Sequence, residues 1–211
     1  MMNKTIEDKL NEGRSYRNID VSSFERRAEN EEKIVSGYAT VFNTPYELWS
    51  MDGYTLIEQI DARAFDGCDM RDCIMQYDHA GRVFARVSND TLRLAVDNTG
   101  LHIEARLDGT EIGRQLFEEI EGGYTTKMSF GFKVAEDKRE ITEDKINGTV
   151  TVLRTITKIE RLYDVSAVSL PANDATSISA RTFGEGVIAE IREEIEKRRK
   201  HIQKIKILSE V

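Results

Sequence analysis

No stretch of the 211 residues approaches the ~18 consecutive apolar residues of a membrane-spanning helix. The opening MMNKTIEDKLNEGRS is charged throughout and lacks the apolar core of a secretion signal, so the chain is expected to stay in a cytoplasm. Positive charge is in deficit: 30 Lys and Arg against 38 Asp and Glu give a net charge of -8. That excludes a general nucleic-acid or anionic-membrane binder, which needs a basic surface. Only two cysteines occur, Cys68 and Cys73, with four residues between them. This spacing fits neither a CxxC knuckle nor a disulfide framework, so both are expected reduced and structural. There is no GxSxG elbow, HExxH, phosphate loop or dinucleotide glycine pattern. The commoner hydrolase, metallopeptidase and nucleotide-using classes are disfavoured, and no metal or cofactor is expected.

What is present is β-rich. After a polar leader over residues 1–14, YRNIDVSSFERRAENEEKIVSGYATVFN reads as two strands joined across the charged turn Asn30 to Lys33. TLIEQI, CIMQY and RVFARV follow as strands, with a single helical turn expected in DARAFDG. LRLAVDNTGLHIEARL reads as a hairpin around Asp97-Asn98-Thr99-Gly100. A capping residue, Asp108, stands three before Glu111, and Ile112, Leu116, Phe117 and Ile120 then recur at helical spacing until Gly122-Gly123. The charged excursion from Glu136 to Asn147 reads as a solvated loop or hairpin tip, and the β-branched run to Pro171 as two more strands. The sequence therefore predicts an α+β fold, mainly an antiparallel sheet with one or two packed helices.

The main domain is expected over residues 15–183 and a separate helical tail over 184–211. In that tail Ile188, Ile191, Ile195, Ile202 and Ile205 keep an a/d heptad register. Such a seam either folds back on its own domain or pairs with another helix.

KMSFGFKV, Lys127 to Val134, alternates with period two. Met128, Phe130, Phe132 and Val134 take one face, leaving Ser129, Gly131 and Lys133 on an open one. A serine nucleophile needs a base within hydrogen-bond reach and usually a third group to orient it. Of three histidines, His102 reads as an exposed strand position and His201 lies in the charged tail; His79 follows the apolar strand CIMQY at a strand end, where side chains are presented rather than buried. For the third group IERLYDVS offers Glu160 and Asp164, placed on one face by period two but roughly 13 Å apart, so strand register must choose between them. Asp78 adjoins His79 and ranks behind both. Arg154 and Arg161 are candidates to support an oxyanion, and nothing in the sequence selects either.

Taken in order, SGYATVFN, MQYDH, GLHIEARL before a helix, MSFGF and LYDVSAVSLPAN resemble the tailed-phage prohead protease family, capsid-maturation serine proteases similar in fold to herpesvirus assemblin. The pieces span about Tyr16 to Phe183. The resemblance implies a β-barrel-like sheet, His79 and Ser129 as catalytic pair, and Asp164 as the acid, with Glu160 still open. Ala80 stands where the family often has an acidic residue. It further implies a serine endopeptidase acting inside the assembling prohead on scaffold, or on a scaffolding segment of the major capsid protein, and on itself. The Ile188 to Ile205 seam would then serve self-association or docking on scaffold. A non-catalytic assembly factor of the same fold is the alternative.

Overall fold

A computed structural model describes residues 6–19, 25–29, 32–168 and 174–209. The chain runs α1 (Ile6–Asn11), β1 (Ser15–Ile19), β2 (Glu25–Glu29), β3 (Glu32–Val41), β4 (Tyr46–Met51), β5 (Tyr54–Ile60), β6 (Ile74–Tyr77), β7 (Ala80–Arg86), β8 (Leu92–Val96), β9 (Gly100–Arg106), α2 (Glu111–Glu121), β10 (Lys127–Asp144), β11 (Thr149–Val168) and α3 (Asp174–Ser209).

The fold is α+β, built on two sheets that do not close into a barrel. The smaller has the order β2-β3-β9-β8 and is antiparallel throughout. The larger has the order β1-β10-β11-β5-β4, with β6 and β7 attached through β11. β11 carries two parallel partners in tandem: β5 along Val150 to Ile156 and β6 along Asp164 to Ala167. Its length makes this possible, because a 20-residue strand far outlasts either parallel neighbour, while β10 runs along all of it on the other side. Between the sheets Val35, Leu101 and Ile103 meet Met128, Phe130, Phe132 and Val165, and α2 closes the layer with Leu116, Phe117 and Ile120. Phe130 and Phe132 stack with centroids 4.5 Å apart, so the aromatic face expected of KMSFGFKV does anchor that strand in the core.

Several local expectations change. Among the described residues the opening segment holds three strands, not two. β2 and β3 pair as expected, while β1 crosses to the other sheet and lies along β10; the turn around Asn30 includes residues outside those described. DARAFDG forms successive turns tied by Asp61, whose carboxylate accepts from the Arg63 N–H at 2.8 Å, and no helix. The cap of α2 is Thr110 rather than Asp108: its hydroxyl accepts from the Gly113 N–H at 3.1 Å. The charged excursion continues β10 to Asp144, with the tip confined to residues 145–148. Cross-strand pairs such as Glu136 with Lys158 hold it. Cys68 and Cys73 are free, and burial pushes both thiols up, that of Cys68 to about 11.

The last helix begins at Asp174, before the boundary expected near residue 183, and folds back on the domain. Val187, Ile191 and Ile195 pack on Leu56, Val150 and Val152. Ile188 is buried as well, so of the five seam residues only Ile202 and Ile205 are left half-exposed.

Candidate active site

The site assembles where β1, β10, β11 and β6 lie side by side. In an antiparallel pair, residues opposite one another project to the same face. Ser129 stands opposite Ser166, and Gly131 opposite Asp164. Across β10's other edge, Tyr16 stands opposite Gly131. Thus Tyr16, Ser129, Ser166 and Asp164 share one face, with an empty position at Gly131. A β-carbon there would come 2.4 Å from Asp164 Oδ2 and 2.8 Å from the Tyr16 ring. Glycine is required for space alone, since its backbone is ordinary. Gly131→Ala is therefore expected to displace the Asp164 carboxylate and destabilise the fold by about 1–3 kcal/mol, read by urea denaturation.

His79 arrives from the turn joining β6 to β7. Tyr77 pairs with Ala80, leaving Asp78 and His79 as a two-residue loop with φ of 47° and 57°. Positive φ at both central residues defines a type I′ turn, where Asn-Gly is the favoured sequence. A histidine in this region is strained by about 1–3 kcal/mol and persists only where surroundings over-determine it. Here they do. The Asp78 N–H donates to the Ala167 carbonyl at 3.0 Å, the Lys9 ammonium to the His79 carbonyl at 2.7 Å, and the Tyr16 ring lies 4.4 Å from the imidazole.

This turn brings three side chains into one line. His79 Nε2 lies 2.6 Å from Ser129 Oγ, and His79 Nδ1 lies 2.5 Å from Asp164 Oδ1. The same Asp164 oxygen accepts the Ser166 hydroxyl at 2.8 Å. Burial would push the Asp164 carboxyl up; the charge and hydrogen bond of His79, the Ser166 hydroxyl and the Lys9 ammonium outweigh it and hold the group below the usual carboxylate range. A hydroxyl, an imidazole and an ionised carboxylate so connected can carry acyl transfer.

The other sequence candidates fall elsewhere. Glu160 lies at the surface, 2.9 Å from Lys133, and has no contact with His79. Period two put it on Asp164's face, but Glu160 and Tyr163 are both skipped in the pairing with β10, and such bulges re-phase the alternation. Arg154 is engaged by Glu58 and Asp137, and Arg161 lies half-exposed beside Asp69 and Tyr163. His102 sits against Tyr38, and His201 is exposed. Sequence reasoning missed Ser166, whose signal was its place two residues beyond the acid on the same strand. It also missed Tyr16, Lys9 and Arg17.

Ser129 is not on an open face. Ser129 and His79 are fully buried, and Asp164 is 1% exposed. A cleft of about 520 Å³ opens beside the turn, lined by Tyr77, Phe84, Ile112 and Leu116, but none of the three residues borders it. The neighbouring strand β1 closes on the site, its Arg17 carbonyl accepting the Ser129 hydroxyl at 2.9 Å and its Tyr16 ring lying against His79, long-range contacts to which strand periodicity is blind.

A hydrogen-bonded serine, histidine and aspartate, set on the inner strands β10 and β11 of an α+β sheet and the turn beside them, is the arrangement that serine-hydrolase chemistry requires. The family model of the caudovirus prohead serine proteases matches residues 17–187, and the chain belongs to that family. Among solved structures it is similar to the capsid assembly protease gp21 of bacteriophage T4, with 10% identity and a TM-score of 0.38 over 74% of this chain and 96% of that one. No curated protein sequence matches it.

Proposed function

We propose that the chain is a serine endopeptidase of phage capsid maturation that cuts scaffold, or a scaffolding segment of the major capsid protein, and itself, inside the prohead. The single observation carrying this is the hydrogen-bonded Ser129–His79–Asp164 line within the segment that matches the prohead protease family. In this reading Ser129 Oγ attacks the scissile carbonyl as His79 Nε2 takes its proton. His79 then protonates the leaving amine, and a water repeats the sequence on the acyl-enzyme. Asp164 accepts from Nδ1–H and stabilises the imidazolium, while Ser166 orients the carboxylate. Glu160 has no part in this mechanism.

The test is co-expression with the major capsid protein and scaffold of the same phage, read by gel and mass spectrometry. Discrete cleavage by the intact chain, absent with Ser129→Ala, is expected. Cleavage that persists with the alanine would refute Ser129 as nucleophile. Intact capsid proteins with both chains would favour a non-catalytic assembly factor.

A further inference from the structure

Helix α3 outruns the sheet that holds it. Ile195 is its last apolar seam residue to pack on the domain, against Leu56, Val150 and Val152. From Glu196 to Ile205 every residue is exposed. Seven residues return a helix to nearly the same face, so Ile202, and Ile205 after it, look toward the side on which the sheet lies, up to about 15 Å past Ile195. Helices draw most of their stability from packing an apolar face, and this stretch has such a face with nothing of the domain on it.

The overhang and the tip of the β10–β11 hairpin form a corner. At its root a cleft of about 260 Å³ is lined by Ile141, Glu143, Lys145, Glu194, Ile195 and Arg198. Ile146, beside Lys145 at the tip, is 95% exposed. Both elements therefore bring apolar side chains to the corner.

Its charge is opposite to that of the chain. The whole protein carries -8, yet residues 197–206 hold six Lys and Arg and no Asp or Glu. Arg198 and Arg199 share a single carboxylate, Glu143, at 3.9 and 3.8 Å, and Lys145 adds another cation to the cleft. Charges flanking an apolar seam select a partner of opposite sign. A second copy offering the same overhang would bring like charges together. A nucleic-acid backbone would meet the cations and leave the isoleucines in water. A flat bilayer cannot enter a corner, whereas a helix about 10 Å across can.

We propose that this corner seats an acidic amphipathic helix of a partner protein, its apolar residues on Ile141, Ile202 and Ile205 and its carboxylates toward Lys145 and Arg199. The corner adjoins the Thr149 end of β11, whereas Asp164 stands near the Val168 end, so docking leaves the triad untouched. The proposal does not depend on the protease reading.

The probe is a labelled synthetic heptad peptide with leucine at a and d and glutamate at e and g, its binding to the full chain read by fluorescence anisotropy. It should bind saturably and more weakly as salt rises, and its counterpart with lysine at e and g at least tenfold less tightly. Ile202→Gln with Ile205→Gln, and separately Lys145→Gln with Arg199→Gln, should each weaken binding at least tenfold with the circular dichroism unchanged. Equal binding by the isoleucine variant would reduce the contact to charge attraction and overturn the seated helix. Duplex DNA or phosphatidylserine vesicles bound more tightly than the glutamate peptide would overturn the choice of a protein partner. A dimer in sedimentation that the isoleucine variant loses would assign the face to a second copy instead. No saturable binding of the glutamate peptide to the wild type would overturn the proposal outright.

Discussion

Replacing Asp164 by asparagine is expected to lower turnover of the co-expressed capsid substrate by about 10,000-fold, with the fold intact. The cause is a tautomer. Asp164 Oδ1 can only accept, so the proton of the neutral imidazole resides on Nδ1 and Nε2 is free to take the Ser129 proton. An asparagine can present its amide N–H₂ to Nδ1, which moves the ring proton to Nε2 and leaves Ser129 without a base. Both side chains are buried, so no water restores the lost acceptor. Glu160→Gln is the matching control: its carboxylate is spent on Lys133 at the surface, and the rate should not change. A large loss with Glu160→Gln and none with Asp164→Asn would reverse the assignment of the acid. Labelling by a fluorophosphonate, which reacts with an activated serine, gives the same comparison without a known cleavage site.

What the sequence revealed of this site follows the range of the forces involved. The strand KMSFGFKV is a local object, and its alternation correctly put Phe130 and Phe132 into the core. It also put Ser129 and Gly131 on the opposite face, but gave no hint that Gly131 is needed for the Asp164 carboxylate, because that contact joins two strands. The choice between Glu160 and Asp164 could not be made from spacing, since it depends on bulges set by the pairing of β10 with β11. His79 gave a weaker signal. Its turn carries Asp-His where a type I′ turn prefers Asn-Gly, so local chemistry argued against the conformation that tertiary contacts impose. The strands of the large sheet were mostly legible one by one. Their order was not, because β11 takes parallel partners from far apart in the chain and β1 leaves its sequence neighbours to reach β10. The tail's apolar seam was legible as a seam, and its partner, the chain's own β5 and β11, only from the fold.

Glu58→Gln should cost about 3–5 kcal/mol of stability, more than any surface substitution, because it leaves buried cations without their shared counter-charge. Glu58 is fully buried on β5, between Arg17 of β1 and Arg154 of β11. It accepts from both guanidinium groups and from the Tyr46 hydroxyl at 2.6 Å. Burial would push its carboxyl up, yet Arg17, Arg154 and Tyr46 together hold it at about 2 against an ordinary 4.5. A folded-state pKa below the unfolded one means the stabilisation is complete above pH 4.5 and is lost as pH falls from there through about 2. That interval corresponds to about 3 kcal/mol. Urea denaturation at neutral pH and near pH 3 separates the contributions: the wild type should lose part of its stability on acidification, and Glu58→Gln, already lacking the carboxylate, should lose less. Glu193→Gln, which removes an exposed i,i+4 partner of Lys197, should change neither measurement. Because Arg17 lends its carbonyl to Ser129, the variant also loosens the wall of the site. A stable Glu58→Gln chain with unchanged acid sensitivity would show that Arg17 is held by something other than this carboxylate.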